Sequence, residues 1–407
     1  MRSITCSYLA LLLGALTSHA SAAETAAKGA VVATADMGGS GNTDIVALDP
    51  VNQAVDLLWV ESDGSFRLTV QNFGDISYMT SLAVADVNGD GRPDVIVTDG
   101  SAGTTGVRVL LNNGDGTLAA DVPYASDTSS DSGPVSVTAA DVNHDGFPDI
   151  LTANANSGTV SVLFNRGDGS FRTPVIYPAG HRPVAAAAAD VNGDGHLDLV
   201  VADASGDSVL VLLNDGLGDF AAPLAHSVGS HPVALSVADM DGDGIADIAV
   251  ADQNDDTVAV LHGNGDGSFL AASFYRTGAE PGWIAAQDLT GSGRLDLVTD
   301  NYSDGSVSIF ANSGHGFADQ QQLFPAYGSY GTVVMNIGGT SQVVSPNIQA
   351  GQVQVTPAAA AVQTGNAAQG PVRHIAGAHD PQSSTGDLDG ISLALLGLTG
   401  FARRRIR

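Results

Sequence analysis

The chain has 407 residues, of which 43% are hydrophobic and only 5% aromatic, and it contains 50 glycines. It carries 44 Asp and Glu against 15 Lys and Arg, a formal net charge of -29, which excludes the basic footprint of a nucleic-acid-binding protein. The composition is typical of small, β-branched and Ala-rich strands joined by tight turns, and it argues against disorder over most of the chain.

The first 22 residues have the pattern of an export signal. Arg2 supplies a positive charge, residues 8–16 form a short apolar core, and residues 20–22 (Ala-Ser-Ala) fit a small-x-small cleavage site. The sole cysteine, Cys6, precedes this core, so cleavage leaves a chain without disulfides. The sequence therefore predicts a secreted or cell-surface protein that is held together by packing and by metal ions.

A repeat of about 49 residues follows the signal. Its first Asp recurs with spacings of 50, 55, 49, 49 and 49 residues, at Asp36, Asp86, Asp141, Asp190, Asp239 and Asp288. A seventh, degraded unit begins near Asn336, so seven units cover residues 30–357. A period of this length indicates one body of repeated units rather than several unrelated domains.

Each unit contains four short strand-like segments. In the fifth unit these are residues 233–238, 248–251, 257–262 and 269–275, separated by turns rich in Gly, Asp and Asn. Radial repetition of four-stranded units predicts an all-β fold, a seven-bladed β-propeller, in which the small side chains of the first segment suit the crowded centre. A solenoid is the alternative, although its terminal units are usually atypical and the first unit here is ordinary.

An Asp-rich loop joins the first and second strands of a unit. In the second unit, residues 86–94 place oxygen-bearing side chains at positions 1, 3, 5 and 9 and a glycine at position 6. Alternate side chains converge when the chain curls around a cation, oxygen ligands suit calcium, and the glycine permits the sharp turn. Position 7 would add its backbone carbonyl.

The same loop recurs in phase in four consecutive units, which predicts about four bound Ca²⁺ ions. The predicted metal-binding residues are Asp86, Asn88, Asp90, Arg92 and Asp94; Asp141, Asn143, Asp145, Phe147 and Asp149; Asp190, Asn192, Asp194, His196 and Asp198; and Asp239, Asp241, Asp243, Ile245 and Asp247. The first and sixth units keep Asp at positions 1 and 9 but lack acids at positions 3 and 5. They are expected to form the turn without tight metal binding.

An EF-hand shares the first half of this loop. It also needs a bidentate Glu at position 12, between two helices. Here position 12 is Val97, Thr152, Val201 or Val250, each inside a predicted strand. The EF-hand interpretation therefore fails.

These motifs resemble a known repeat family. Asp-Val-Asn-Gly-Asp-Gly-x-x-Asp followed by an apolar strand, with Asn-x-Gly-Asp-Gly-x-Phe near the end of the unit, is similar to the FG-GAP/VCBS repeats of integrin α-subunit propellers and many secreted bacterial proteins. The resemblance covers about 330 residues. It implies a seven-bladed propeller with calcium loops between the first and second strands, and it brings no catalytic residue.

Alternating strand direction places the calcium loops on one face and candidate ligand-binding side chains on the other. Aromatic and polar groups together suit a sugar or a peptide, and the candidates are His181, Arg182, His231, Glu280, Trp283 and Tyr302. In the competing interpretation, Trp283 only fills the channel. We expect a non-catalytic adhesion module that binds an extracellular protein or polysaccharide; a propeller-type polysaccharide lyase or hydrolase and a structural envelope or matrix component are the alternatives.

Two segments follow the repeats. Residues 358–390 are rich in Ala, Gln, Gly and Ser, which predicts a flexible linker. Residues 391–407 join a short apolar run to an Arg-rich end. This ending partly resembles the sorting signals processed by exosortase-type enzymes, but the Pro-Glu-Pro element is missing, so envelope attachment and a disordered basic tail both remain open.

Overall fold

The computed structural model describes residues 32–323 with short gaps, together with residues 333–337, 340–347, 352–357 and 373–375. The predicted export signal at residues 1–22 and the predicted tail at residues 391–407 lie outside the described residues. All regular elements in the described part are β-strands, which confirms the all-β fold class. A search of the same part for a membrane-spanning helix found none.

The described strands form seven four-stranded antiparallel sheets, each made of four strands that are consecutive in the chain. The first two sheets contain β1 (Val32–Ala35), β2 (Asp44–Asp49), β3 (Ala54–Val60) and β4 (Phe66–Asn72), and β5 (Leu82–Ala85), β6 (Asp94–Asp99), β7 (Gly106–Leu110) and β8 (Val122–Ala125). The third and fourth contain β9 (Pro134–Ala140), β10 (Asp149–Asn154), β11 (Thr159–Leu163) and β12 (Val175–Pro178), and β13 (Pro183–Ala189), β14 (Asp198–Asp203), β15 (Ser208–Leu212) and β16 (Leu224–Ser227).

The remaining three sheets follow the same order. The fifth and sixth contain β17 (Pro232–Ala238), β18 (Asp247–Asp252), β19 (Thr257–Leu261) and β20 (Ser273–Arg276), and β21 (Pro281–Gln287), β22 (Asp296–Asn301), β23 (Ser306–Phe310) and β24 (Gln321–Leu323). The seventh contains β25 (Val333–Ile337), β26 (Thr340–Asn347), β27 (Gln352–Pro357) and β28 (Arg373–Ile375).

Two strands differ from the sequence prediction. In the fifth sheet, β20 begins at Ser273 rather than at residue 269, because Phe269 pairs with Gly263 in an isolated bridge that closes the Gly-rich turn. In the seventh sheet, β28 lies inside the stretch predicted to be a linker. Low β-propensity around β28 concealed it in the sequence.

The hydrophobic core lies between neighbouring sheets. The second strand of each of the first six sheets is buried along its whole length. Its side chains alternate between the two flanking sheets, so that Val200 packs toward the fifth sheet while Leu199 packs toward the third. Strands buried on both faces read as continuous apolar runs rather than alternating patterns, as the sequence does here.

The first strands of the first six sheets contact one another in order, β1 with β5, β5 with β9, β9 with β13, β13 with β17 and β17 with β21. Their residues are mostly half-buried, as in β13 and β17. The Ala-rich run at residues 185–189 thus lies where small side chains let several strands approach closely. This is the position that the sequence predicted for the first strand of a unit.

Aromatic pairs join the outer strands. Tyr124 on β8 meets Phe171, in the turn between β11 and β12, edge-on at 5.3 Å between ring centroids, and Tyr177 on β12 meets Phe220, in the turn between β15 and β16, at 5.4 Å. Edge-to-face packing of this kind contributes beyond the area buried. The phenylalanine that ends the Gly-Asp-Gly-x-Phe motif is therefore an inter-sheet contact.

Candidate metal centres

The Asp at position 1 organises each loop by accepting backbone hydrogen bonds. In the second unit, Oδ1 of Asp86 accepts the N–H of Gly89 at 2.8 Å and Oδ2 accepts that of Gly91 at 2.7 Å. Gly91 has a φ of 81°, in the left-handed region that favours glycine. Asp239 makes the corresponding contacts in the fifth unit, at 2.7 and 2.9 Å. The loop therefore curls around its own first carboxylate.

The side chains at positions 3 and 5 turn toward the same interior. Oδ1 of Asn88 accepts the N–H of Asp90 at 3.0 Å, and Oδ1 of Asp90 accepts the N–H of Arg92 at 2.9 Å. In the fifth unit, one carboxylate oxygen from each of positions 1, 3 and 5 lies within 4.8 Å of the other two, from Asp239, Asp241 and Asp243. The structure thus brings together three of the predicted ligands of that loop.

The Asp at position 9 differs from the others because it is buried at the start of the second strand. Oδ2 of Asp94 accepts the N–H of Val87 at 3.0 Å, and Oδ1 accepts the N–H of Asn112 at 2.7 Å. Asp149, Asp198 and Asp247 make the equivalent pairs of bonds. This residue fixes the loop to the end of the third strand, a role that the spacing of the motif alone did not reveal.

Burial also makes these carboxylates electrostatically costly. It raises the pKa of Asp94 to about 6 and that of Asp149 to about 7, against backbone hydrogen bonds that lower both values. Burial raises the pKa of Asp198 and Asp247 as well. A divalent cation within bonding distance would favour the ionised form and offset this cost. The buried carboxylate at the edge of an exposed loop is therefore suited to a cation.

The side chain at position 7 packs on the Gly-rich turn of its own unit. A Cβ added to Gly114 would lie 2.8 Å from Cδ of Arg92, and one added to Gly167 would lie 2.8 Å from Cε2 of Phe147. His196 and Ile245 contact Gly216 and Gly265 in the same way. The glycines of the turn leave room for these side chains. The backbone of position 7 remains the predicted ligand, since its side chain is engaged elsewhere.

The loops of the first and sixth units form the same turn. Oδ2 of Asp36 accepts the N–H of Gly41 at 2.7 Å, and Oδ2 of Asp288 accepts that of Gly293 at 2.8 Å. Their positions 3 and 5 offer no carboxylate. The turn geometry is therefore common to six units, whereas the full set of Asp and Asn donors belongs to four of them.

The donor set of the four complete loops consists of carboxylate and carboxamide oxygens. Such hard ligands suit Ca²⁺, which takes six to eight oxygens in flexible geometry. Positions 3 and 5 are exposed or half-exposed, so water can complete the coordination. The residues present therefore fit a calcium ion.

Comparison with sequence families agrees with this geometry. Five matches to the FG-GAP-like repeat cover residues 36–97, 86–152, 150–201, 190–250 and 239–299. The chain belongs to the FG-GAP-like repeat family. A comparison with curated proteins found no match to this FG-GAP repeat protein.

Solved structures resemble the FG-GAP repeat protein in fold alone. The chain called BBS1N, crystallised with ARL6DN, aligns with a TM-score of 0.54 and 13% identity over 80% of this chain and 90% of its own. A candidate 6-phosphogluconolactonase of Bacteroides uniformis aligns with a TM-score of 0.52 and 14% identity, over 81% of this chain and 92% of its own. The dihydro-heme d1 dehydrogenase NirN aligns with a TM-score of 0.52 and 14% identity, over 83% of this chain and 72% of its own. The fold is thus all-β and propeller-like.

The candidate ligand-binding residues of this FG-GAP repeat protein lie at the opposite ends of the strands. His181 and Arg182 precede β13 and donate their backbone N–H groups to the buried carboxylate of Asp203, at 2.9 and 2.8 Å. The side chain of His181 is 81% exposed. His231 precedes β17 and Glu280 precedes β21, which are corresponding turns of the next two sheets.

The structure brings together only part of this set. The N–H of Tyr302 donates to the carbonyl of Glu280 at 2.8 Å, and the Tyr302 side chain is exposed. Trp283 on β21 packs instead against the core of the sixth sheet, which favours the structural interpretation of that residue. His231 and Glu280 both have positive φ, 57° and 56°. Sequence reasoning did not detect this strain.

Proposed function

We propose that the protein is a calcium-stabilised, seven-bladed propeller that is exported and binds an extracellular protein or polysaccharide without catalysis. The observation that carries the proposal is the recurrence of one loop geometry, with a full set of Asp and Asn donors, in four consecutive units, the second to the fifth. One such loop could be an Asp-rich turn of no consequence. Four in the same register indicate a shared ligand.

The seven described four-stranded sheets support the blade number. The side-by-side first strands of the first six sheets are those expected around a propeller channel. In this arrangement the seventh sheet closes the ring between the sixth and the first.

Calcium would act mainly on stability. The residue at position 2 of each loop is buried between sheets, as Val142 and Val191 are, at 0% and 1% exposure. A cation that fixes the loop therefore also fixes a core residue next to it. Because binding to the folded state alone stabilises that state by mass action, the effect grows with calcium concentration.

Recognition would take place on the face away from the loops. Backbone strain tends to persist where the surroundings impose it, and it concentrates at binding sites. His231 and Glu280 adopt the left-handed conformation directly before a proline, where it is especially disfavoured. Tyr302, which donates its N–H to the carbonyl of Glu280, offers an exposed aromatic surface to a sugar or a peptide.

The net charge of -29 further supports an extracellular, cation-rich setting and a partner other than nucleic acid.

Envelope attachment through the C-terminal tail belongs to the same proposal. The residues on the recognition face come from different sheets, which favours a binding surface over a catalytic centre.

A binding screen tests the proposal. The mature chain is presented to glycan and extracellular-protein arrays with calcium and with a chelator. We expect a partner that is retained with calcium and lost when chelation destabilises the fold. Breakdown of a polysaccharide during the screen would instead favour a lyase or hydrolase, and calcium-independent stability would contradict the role of the loops.

A further inference from the structure

A histidine lies against the acidic loop of the fifth unit. Nδ1 of His262 is 3.3 Å from Oδ2 of Asp247 and 3.5 Å from Oδ2 of Asp241. One possible ligand atom from each of these three side chains lies within 4.8 Å of the other two. Asp241 and Asp247 occupy positions 3 and 9 of the loop, so the imidazole shares its neighbours with the proposed calcium site.

The imidazole nitrogen that faces the carboxylates is buried and has no hydrogen-bond partner. A buried polar atom without a partner is uncommon and calls for a physical explanation, of which an absent ion is one. The whole His262 side chain is 27% exposed, so the site lies near the surface.

The fifth unit departs from its neighbours in two linked positions. The residues that correspond to His262 in the second, third and fourth units are Leu111, Phe164 and Leu213, all apolar. Position 3 of those loops is Asn, whereas it is Asp241 here. The fifth loop therefore gains a carboxylate and an imidazole, and the structure brings the two together.

We propose that the fifth loop also binds a transition-metal ion such as Zn²⁺, through His262, Asp241 and Asp247, and that this ion displaces calcium from the loop. Imidazole suits Zn²⁺, Cu²⁺ and Ni²⁺, whereas Ca²⁺ takes oxygen ligands. This inference rests on the proposed function only in assuming that the loop binds a cation. The other three complete loops, with oxygen donors alone, remain calcium sites.

The geometry is compatible with zinc. In a tetrahedral zinc site, the bonds from the metal to nitrogen and to carboxylate oxygen are about 2.0 to 2.1 Å long. Neighbouring ligand atoms are therefore about 3.3 Å apart. The distances from Nδ1 of His262 to the two carboxylate oxygens are 3.3 and 3.5 Å. The two carboxylates each offer an oxygen within 4.8 Å of the other, so a movement of these side chains by up to about 1.5 Å would bring the third pair to the same spacing.

Calorimetric titration of the full chain tests the site. The protein is purified without a polyhistidine tag, stripped with a chelator, and titrated separately with Zn²⁺ and with Ca²⁺. We expect one tight zinc site in the wild type. Loss of a residue that only supports a metal ligand weakens metal binding by about 10- to 100-fold. Because His262 is proposed to bind the ion directly, we expect His262→Leu to bind zinc about 100-fold more weakly. Saturation with zinc should also reduce the number of calcium ions bound by one.

His144→Gly is the matched control. His144 lies beside His196, with ring centroids 5.0 Å apart, and this pair is the rival location for zinc. His144 has a φ of 57° and corresponds to a glycine in the neighbouring loops, so the substitution suits the backbone. Zinc binding should survive it. Zinc binding that is lost in His144→Gly, or unchanged in His262→Leu, would overturn the proposal.

The calcium titration separates this inference from the proposed function. If the wild type and His262→Leu both bind calcium and have the same affinity for zinc, only the zinc site is refuted. A wild type that binds no calcium refutes the calcium role of the loops, whatever zinc does. An absorption spectrum with Co²⁺ as the probe adds a direct readout of nitrogen ligation, which His262→Leu should abolish.

Discussion

The side-chain amide of Asn214, in the turn after β15 of the fourth sheet, donates to the backbone carbonyl of Val142, in the loop between β9 and β10 of the third sheet, at 2.8 Å. Val142 is position 2 of an acidic loop, so this bond ties that loop to the next sheet. The same amide also donates to the backbone carbonyl of Leu197 at 2.8 Å, and the side-chain oxygen Oδ1 of Asn214 accepts the N–H of Gly216 at 3.0 Å. Asn112 and Asn165 bridge earlier pairs of sheets in the same way.

Removal of this bridge should destabilise the whole fold. Asn214→Ala leaves the buried carbonyl of Val142 and the partly buried carbonyl of Leu197 without this donor, so we expect the free energy of unfolding to fall by about 2 to 4 kcal/mol. Denaturant unfolding at saturating calcium measures it. Asn113→Ala, which removes an exposed side-chain bond to Thr117, is the control and should change little. Equal losses in the two variants would refute the bridging role.

Calcium should raise thermal stability through the complete loops. Asp194 is exposed at position 5 of the fourth loop, and its side chain accepts the N–H of His196 at 2.8 Å. Asp194→Ala should therefore leave the fold intact, remove one calcium ion from the total bound, and reduce the rise in Tm on adding calcium. Calorimetry and thermal melts measure both quantities.

Ser292→Ala tests whether that effect is specific to a complete loop. Ser292 occupies position 5 of the sixth loop, which lacks the acidic donor set. The Ser292→Ala variant should bind the same number of calcium ions as the wild type. Loss of a calcium ion in this variant would mean that the sixth loop binds metal after all.

A buried carboxylate on the other face should lower stability at neutral pH. Burial raises the pKa of Asp252 to about 7, from 3.8. The folded state therefore keeps a proton that the unfolded state releases, so this residue makes stability fall from about pH 4 to about pH 7 and stay level above. The corresponding residues Asn154 and Asn301 carry no such charge.

Asp252→Asn removes this dependence. Asn154 donates to Thr159 at 3.2 Å, so an asparagine at 252 can donate to Thr257 in the same manner. At pH 8 and saturating calcium we expect the variant to gain about 2 to 4 kcal/mol over the wild type, a difference that shrinks as the pH falls to 4. Urea unfolding across this range measures it. A difference that is independent of pH would contradict the assignment.

Relief of backbone strain at Glu280 should raise the stability of the fold while it weakens binding to a partner. Gly133 occupies the corresponding place before a proline with a φ of 61°. Glu280→Gly should raise the free energy of unfolding by about 0.5 to 1 kcal/mol, since glycine adopts this conformation without steric cost. Binding to a partner found in the screen should weaken.

Ala279→Gly is the neighbouring control for that variant. Its backbone is not in the left-handed region, so a glycine there adds only freedom to the unfolded chain and should destabilise slightly. A loss of stability in Glu280→Gly equal to that in Ala279→Gly would show that Glu280 is not strained.

The fold class and the positions of the acidic loops could be predicted from the sequence because both depend on local, repeated patterns. The alternation of small strands with Gly-rich turns specified four strands per unit. The Asp and Asn spacing identified residues such as Asp86 and Asp90, whose side chains act within a single turn of the chain. Low propensity hid β28, whose pairing with β27 comes from the sheet.

Other features depend on contacts between units and were decided by tertiary structure. The sequence marks Asn214 only as part of a turn, and its partner Val142 lies in the acidic loop of another unit. Likewise, His262 resembles any strand residue until β19 is packed beside the loop that contains Asp241. The spacing of a motif specifies which groups can converge within a turn, whereas the packing of sheets decides which distant groups reach them.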